Sequence, residues 1–235
     1  MAKRSRKAGA VIVAAGSGSR FGGRTPKQFV PLLGKPMLLR TLEAITSASG
    51  IGKVIVVVSS RFVPRVRGLI AGAGLLDVCR VVSGGRKRQS SVYNGLRAFD
   101  PPPDVVLIHD GARPLVSRRI IDGVLRLSER HRAVIAALPV TDTLKKEKRP
   151  GMLTQTMSRE GLWMAQTPQA FDYQLLLKAH QLARKRKLSS TDDAALVERM
   201  RIPVKVFPGS LHNIKITTRA DLSDAEMWLK SRKTR

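Results

Sequence analysis

AVIVAAGSGSRFGGRTPKQF, residues 10–29, decides the architecture: six apolar residues run without a break into a turn containing Gly16, Gly18, Gly22 and Gly23, flanked by Arg20 and Lys27. A strand that is apolar on both faces is one covered by helices on both sides, as in a parallel sheet, rather than one half-open to water. The same kind of run recurs as KVIVVVSS (53–60), VCRVVSGG (78–85), DVVLIHD (104–110) and AVIAALPV (133–140). Helical spacing fills the gaps. Pro36 suits a helix first turn, followed by Leu39, Leu42 and Ile45; Val92, Leu96 and Phe99 recur likewise; Ile120, Ile121, Val124 and Leu125 form a further stripe. Strand and helix in alternation predict an α/β chain with a doubly wound sheet.

After Val140 the rhythm changes. Residues 141–161 hold Lys145, Lys146, Glu147, Lys148, Arg149, Pro150 and Gly151 around a turn, which reads as an excursion from the core. Helices are expected again at about 172–187 and 191–200, then the strand-like PVKVF and NIKITT, then a last helix carrying Leu222, Ala225, Trp228 and Leu229. No repeat or linker divides the 235 residues, so one domain over 1–235 is expected, with a basic tail at about 1–8. A chain of this length buries roughly 70–75% of the surface its unfolded form exposes and needs no metal or disulfide staple. Cys79, the only cysteine, reads as a small core hydrophobe in a reducing compartment. KRSRK (3–7) lacks the apolar stretch of a secretory signal, and no run approaches the ~18 apolar residues of a membrane span. The expectation is a soluble, cytoplasmic protein with no membrane partner.

Lys and Arg number 43 against 17 Asp and Glu, a net charge of +26. Nucleic acid is therefore the first partner to consider. The cations are scattered in small groups, however, and two Trp, two Tyr and six Phe supply no stacking surface. Without helix-turn-helix or zinc-finger spacing, no specific nucleic-acid binding is expected. A small anionic substrate drawn in by the same field fits better.

Three stretches can carry chemistry. The glycine turn after the first run suits phosphate, because backbone N–H groups can approach anionic oxygens and Arg20 and Lys27 add charge; its plain alternative is an ordinary tight turn. Gly16-x-Gly18 is followed at the next template position by Phe21, and no GK[ST] closes a P-loop, so neither the dinucleotide nor the P-loop template is met. In IHDGARP, Asp110 ends a buried strand, where a carboxylate can hold Mg2+ on nucleotide phosphates or simply cap a turn. In SGGRKRQSSVYNGL (83–96), Gly84 and Gly85 end a strand and Ser90 or Ser91 opens a helix, a junction that can read a base or ribose while Arg88 approaches phosphate; helix capping is the alternative. The four histidines have no metal-ligand spacing and read as structural or surface residues.

AAGSGSRFG with PKQF, GGxxRxxSVxxGL at 84–96, HDGARP, VTDTLK, REGLWMAQTPQAF, STDDAALVE and HNIKIT together resemble the 2-C-methyl-D-erythritol 4-phosphate cytidylyltransferases of isoprenoid biosynthesis, from Ala10 to Leu229. The resemblance implies a Rossmann-like, mostly parallel sheet with a protruding dimerisation arm at about 141–165. It also implies transfer of CMP from CTP to the phosphate of methylerythritol phosphate, releasing pyrophosphate and forming the cytidine-diphospho product. Carried over residue by residue, Arg20, Lys27 and Lys215 would be the catalytic cations on the phosphates. Ala14, Ala15, Gly16, Gly18 and Arg88 would bind nucleotide, Gly84, Gly85 and Ser91 would surround cytosine, and Asp110 would bind Mg2+. Arg113, Thr143 and Arg159 would contact the sugar phosphate, with Thr143 and Arg159 serving the partner's site in a homodimer. The attacking phosphate is already ionised, so no catalytic His or Ser is expected. Gly111 departs from the family, which more often has alanine there, and the charge is unusually high. A ribitol 5-phosphate cytidylyltransferase and a basic nucleic-acid-binding protein on an inactive transferase fold are the competing readings.

Overall fold

The computed structural model describes residues 7–16, 18, 21–22 and 25–233. In chain order the elements are β1 (Ala8–Ala14), β2 (Pro31–Leu32), β3 (Lys35–Pro36), α1 (Met37–Thr46), β4 (Ile51–Val58), α2 (Val63–Gly72), β5 (Cys79–Ser83), α3 (Arg88–Leu96), β6 (Val105–Asp110) and α4 (Arg118–Ser128). They continue with β7 (Ala133–Pro139), β8 (Leu144–Arg149), β9 (Met152–Met157), β10 (Trp163–Asp172), α5 (Tyr173–Lys185), α6 (Ala194–Glu198), β11 (Lys205–Pro208) and α7 (Arg219–Lys233). Seven strands form the main sheet in the order β11-β7-β10-β6-β1-β4-β5. Every pairing within it is parallel except those of β10, which runs antiparallel to both β6 and β7.

The unbroken apolar runs have the expected cause. Alternate residues of one strand face opposite sides of a sheet, and here both sides are covered. Ala10, Ile12, Val54, Val56, Val58 and Leu107 pack on one side with Leu38, Leu42 and Ile45 of α1, Val66 and Ile70 of α2, and Ile120, Ile121 and Val124 of α4. Val11, Ile55, Val57, Val106 and Ile108 pack on the other with Val92 and Leu96 of α3, Leu175, Leu176 and Ala179 of α5, and Leu196 and Val197 of α6. A third cluster of Phe21, Leu32, Met37, Leu115, Ile216 and Ala225 ties α7 to the segment after β1. Cys79 lies in the first cluster, and burial pushes its thiol up to about 11, so it is an inert core group.

Gly95 sets how closely α3 lies on the sheet. A Cβ there would meet Val11 Cγ1 at 2.5 Å and Val57 Cγ2 at 2.9 Å, both on fully buried, β-branched side chains. Gly95→Ala gains helix propensity of about 1 kcal/mol but overpacks a stiff site, so a net loss of about 1–2 kcal/mol is expected as a lower urea midpoint at unchanged slope.

Several boundaries differ from the sequence reading. Pro36 precedes α1 as its N-cap, and Leu38 rather than Leu39 joins Leu42 and Ile45 in the core. Helix α3 opens at Arg88, so Ser90 and Ser91 lie inside it rather than at its start. NIKITT pairs with no strand among the described residues; its Ile216 N–H bonds to the Ala112 carbonyl. Helix α2 and strand β10 were not anticipated. The residues of the expected tail from 1 to 6 lie outside the described residues, and Ala8 already belongs to β1.

The excursion is a two-stranded hairpin, β8 with β9, standing outside the main sheet. Its neck is closed by Val140 N–H to the Leu162 carbonyl, and Trp163, Met164 and Ala165 already pair with Pro139, Leu138 and Ala137. The arm therefore ends near residue 162, earlier than the expected 165. No helix among the described residues is long and apolar enough to cross a membrane.

Candidate functional site

Strand order reverses at β1, which has β4 on one side and β6 on the other, and ligands of open α/β sheets collect at the carboxyl ends of strands at such a point. A cleft of about 280 Å³ lies there, lined by Val13–Gly16, Gly18, Lys27, Gln28, Met37, Gly85–Arg88, Ser91, Asp110–Ala112, Lys215 and Thr217.

Its walls require small residues. Gly18 has φ +67°, a conformation that favours glycine. A Cβ on Gly84 would meet Ala15 Cβ at 2.5 Å and Ser91 Oγ at 2.8 Å, so the loop after β5 can close on the loop after β1 only without a side chain. Ser91 pins that loop. Its Oγ accepts from Gly85 N–H at 3.1 Å and donates to the Lys87 carbonyl at 3.1 Å.

Cations surround one carboxylate. Asp110 Oδ1 lies 3.3 Å from Arg88 Nε, and Oδ2 lies 2.8 Å from Lys215 Nζ and 3.7 Å from Arg113 Nε. Burial alone would raise the Asp110 carboxyl, but Arg88 and Lys215 outweigh it and hold the group well below the usual carboxylate range. Lys27 Nζ donates to the Ile216 carbonyl at 2.9 Å, joining the glycine turn to the HNIKIT segment. Arg113 Nη1 donates to the Asn213 carbonyl at 2.6 Å, and Asn213 Nδ2 donates to Gln166 Oε1 and the Thr167 carbonyl.

Behind Asp110, His109 is fully buried, and this pushes it down to about 4, so the ring is neutral near pH 7. Nε2 lies 3.1 Å from the Arg113 carbonyl and must donate; Nδ1, 3.0 Å from Thr167 Oγ1, then accepts from the hydroxyl. Thr167 Oγ1 in turn accepts the Asp110 N–H at 3.0 Å. The linkage has a definite sign: below pH 6.5 the unfolded chain takes up a proton that folded His109 refuses until about pH 4, so stability falls as pH falls through that window. Urea unfolding at pH 7 and pH 5 should differ by about 2 kcal/mol from this group. His109→Gln should flatten the dependence; an unchanged slope would remove His109 as its source.

Of the residues expected at the site, Ala14, Ala15, Gly16, Gly18, Lys27, Gly85, Arg88, Ser91, Asp110 and Lys215 converge on the cleft. Gly84 lies directly behind the lining, and Arg113 flanks Asp110 from below it. Thr143 and Arg159 do not join them: both are exposed on the arm, where Arg159 Nη1 donates to the Thr141 carbonyl. Arg20 lies outside the described residues. Gln28, Met37, Arg86, Lys87, Ala112 and Thr217 were not singled out, although all but Met37 sit inside a quoted motif.

The family model for 2-C-methyl-D-erythritol 4-phosphate cytidylyltransferase (IspD) matches residues 8–231. This chain belongs to that family. The 2-C-methyl-D-erythritol 4-phosphate cytidylyltransferase of Pelotomaculum thermopropionicum is 44% identical over 230 residues, 97% of each chain, and that of Desulforamulus reducens is 44% identical over 95% of this chain and 96% of its own. Among solved structures, the enzyme of that name from Thermus thermophilus superposes with a TM-score of 0.79 at 33% identity, covering 94% of this chain and 98% of its own. The 4-diphosphocytidyl-2C-methyl-D-erythritol synthase from Anaerococcus prevotii gives 0.84 at 30%, covering 96% and 99%. As a member of the cytidylyltransferase family, the chain is a nucleotidyltransferase on a mostly parallel α/β sheet. Gly111 is closely enclosed: a Cβ would meet Ala14 Cβ at 2.9 Å and Val13 O at 3.3 Å.

Proposed function

We propose that this chain transfers CMP from CTP to the phosphate of 2-C-methyl-D-erythritol 4-phosphate, releasing pyrophosphate and forming the cytidine-diphospho product. The observation that carries this is the gathering of Lys27, Arg88 and Lys215 with the single cleft carboxylate Asp110 at the reversal of strand order.

Attack of one phosphate on the α-phosphorus of another compound joins two polyanions, so the obstacles are repulsion, alignment and charge on the transferring oxygens. Lys27 and Lys215 both line the cleft and supply positive charge there, and the backbone N–H groups of Gly16 and Gly18 would add donors without side-chain bulk. Gly85 and Ser91 line the side of the cleft where cytosine would sit, with Gly84 packed behind them, and Arg88 would face the phosphates. The nucleophile is the substrate's own ionised phosphate, so no residue has to be activated.

Magnesium fits the donor set in one way. Among the described residues no group of three or more His, Cys, Asp or Glu could hold a metal, and Asp110 is the one carboxylate on the cleft lining. Asp110 would therefore share Mg2+ with phosphate oxygens and water, the mode usual for this ion. When bound, the ion neutralises phosphate charge and restrains its geometry.

The arm supports a homodimer. Met152, Leu153, Met157 and Leu162 of the hairpin and Trp163 and Met164 at its root are exposed, an apolar surface that a second copy would cover. Thr143 and Arg159 would then meet the partner's cleft and contact the sugar phosphate there. Arg159→Ala should raise the acceptor KM about tenfold to a hundredfold while leaving that for CTP within about twofold. An unchanged acceptor KM would separate the arm from the site. A buried free thiol and the lack of a spanning helix among the described residues accord with work in the cytoplasm.

The deciding assay is pyrophosphate release with CTP, Mg2+ and either methylerythritol 4-phosphate or ribitol 5-phosphate. Faster turnover is expected with methylerythritol phosphate. Preference for ribitol phosphate would reverse the assignment of acceptor, and no release with either would end the transferase reading.

A further inference from the structure

Arg88 is gripped from behind as well as facing the cleft. Its Nη1 donates to Asp193 Oδ2 at 2.7 Å while its Nε reaches Asp110 Oδ1 at 3.3 Å. Asp193, immediately before α6, is 1% exposed, and its other oxygen lies 3.0 Å from Nε2 of His180 on α5, which is wholly buried. A line of polar contacts, His180 to Asp193 to Arg88 to Asp110, thus runs from the core between α5 and α6 to the cleft.

Stability does not account for this line. A buried ion pair roughly breaks even against apolar side chains of the same volume, and the surrounding core offers ample apolar alternatives. Nor is the ring there to satisfy a wider network, because His180 Nδ1 has no hydrogen-bond partner and its other contact is stacking on Tyr93, with ring centres 6.4 Å apart. Burial would favour protonated Asp193, yet Arg88 and the His180 bond outweigh it and keep the carboxyl ionised.

What the line does is geometric. A guanidinium held at one point only can swing on its long, flexible stem. Asp193 fixes the Nη1 corner of the Arg88 plane, and the Nε edge is thereby turned toward Asp110. We propose that His180 and Asp193 are positioning residues for nucleotide binding, fixing Arg88 so that its charge faces the phosphates. This rests on the reading of the cleft as the CTP site.

The test is a double-mutant cycle on the full chain, read by calorimetric CTP binding and by steady-state kinetics. Asp193→Asn and His180→Leu should each raise the CTP Kd and KM about tenfold while the acceptor KM stays within about twofold. His180→Gln, whose amide nitrogen can stand where Nε2 stands, should recover most of the loss. In an Arg88→Ala background the same substitutions should change CTP binding little further, because the group they position is gone. Effects that add in full to Arg88→Ala, no recovery by glutamine, or equal movement of the acceptor KM would each overturn the positioning role. If His180→Leu does not fold, the isosteric Asp193→Asn carries the cycle by itself. Failure of the parent protein to bind CTP would refute the nucleotide site; CTP binding with additive variants would refute this inference alone.

Discussion

Asp110→Asn should lower kcat at least about a hundredfold in pyrophosphate release while the protein remains folded. The change is nearly isosteric and leaves the backbone bond to Thr167 intact, so packing around β6 has no reason to move. Charge is what changes. Arg88, Lys215 and Arg113 approach one carboxylate from three directions, and its removal sets three cations against each other in a partly dehydrated cleft. Losing an aligned charge at such a site costs about 3 kcal/mol or more in the transition state. The same loss has an opposite effect on ground-state binding without metal: triphosphate meets Lys215 and Arg113 freed of the Asp110 counter-charge, and an Arg88 paired with Asp193 alone. CTP affinity in EDTA should therefore rise several-fold in the variant while Mg2+-dependent turnover falls. Activity equal to the parent protein would remove the metal role, and weaker metal-free CTP binding would show that the carboxylate does not compete with the phosphates.

Lys27→Ala should cost roughly 3 kcal/mol, about a hundredfold in kcat/KM for CTP. Its side chain lines the cleft, and its ammonium donates to the Ile216 carbonyl. Truncation removes both this charge and the tie between the glycine turn and the segment at 213–218. Comparison with Lys27→Arg separates the two effects. Arginine keeps the charge but brings a planar fork in place of a compact ammonium, and should recover only part of the loss. An alanine variant within about threefold of the parent would exclude Lys27 from the phosphates.

The strands of the parallel core were legible because β1, β4, β6 and β7 are covered on both faces and therefore lack polar interruptions. Strand β10 escaped because Gln166, Thr167 and Pro168 lie in its middle, and proline with two polar neighbours reads as a turn. The sheet accommodates them with a shift of register between Ala165 and Gln169, which frees Gln166 and Thr167 to bond Asn213, His109 and the Asp110 amide. NIKITT erred in the other direction. Its alternation is that of a strand, but no described strand pairs with it, and its residues serve the cleft instead.

For the site, glycine turns and an aspartate at a strand end are local signals with a mechanical cause, and both converged on the cleft. Lys215 is a different case, since only resemblance connects a residue so far along the chain with Asp110. The arrangement of His180 and Asp193 had no local signal at all: neighbouring carboxylates before a short helix look like capping, and which of them turns inward depends on tertiary packing. Thr143 and Arg159 lie exposed on an arm that does not fold onto the cleft of its own chain, and only the resemblance assigned them a place at a partner's site.

The narrow neck of that arm makes it a separable module. Pro139 and Trp163 sit opposite each other as paired residues of β7 and β10, so the two ends of the loop are held a strand spacing apart by the main sheet itself. Excising residues 140–162 in favour of a tight turn of about two to four residues asks for no new backbone path. Such a shortened chain would keep its nucleotide pocket while losing whatever the projection grasps, allowing the two halves of the chemistry to be taken apart by surgery on one loop.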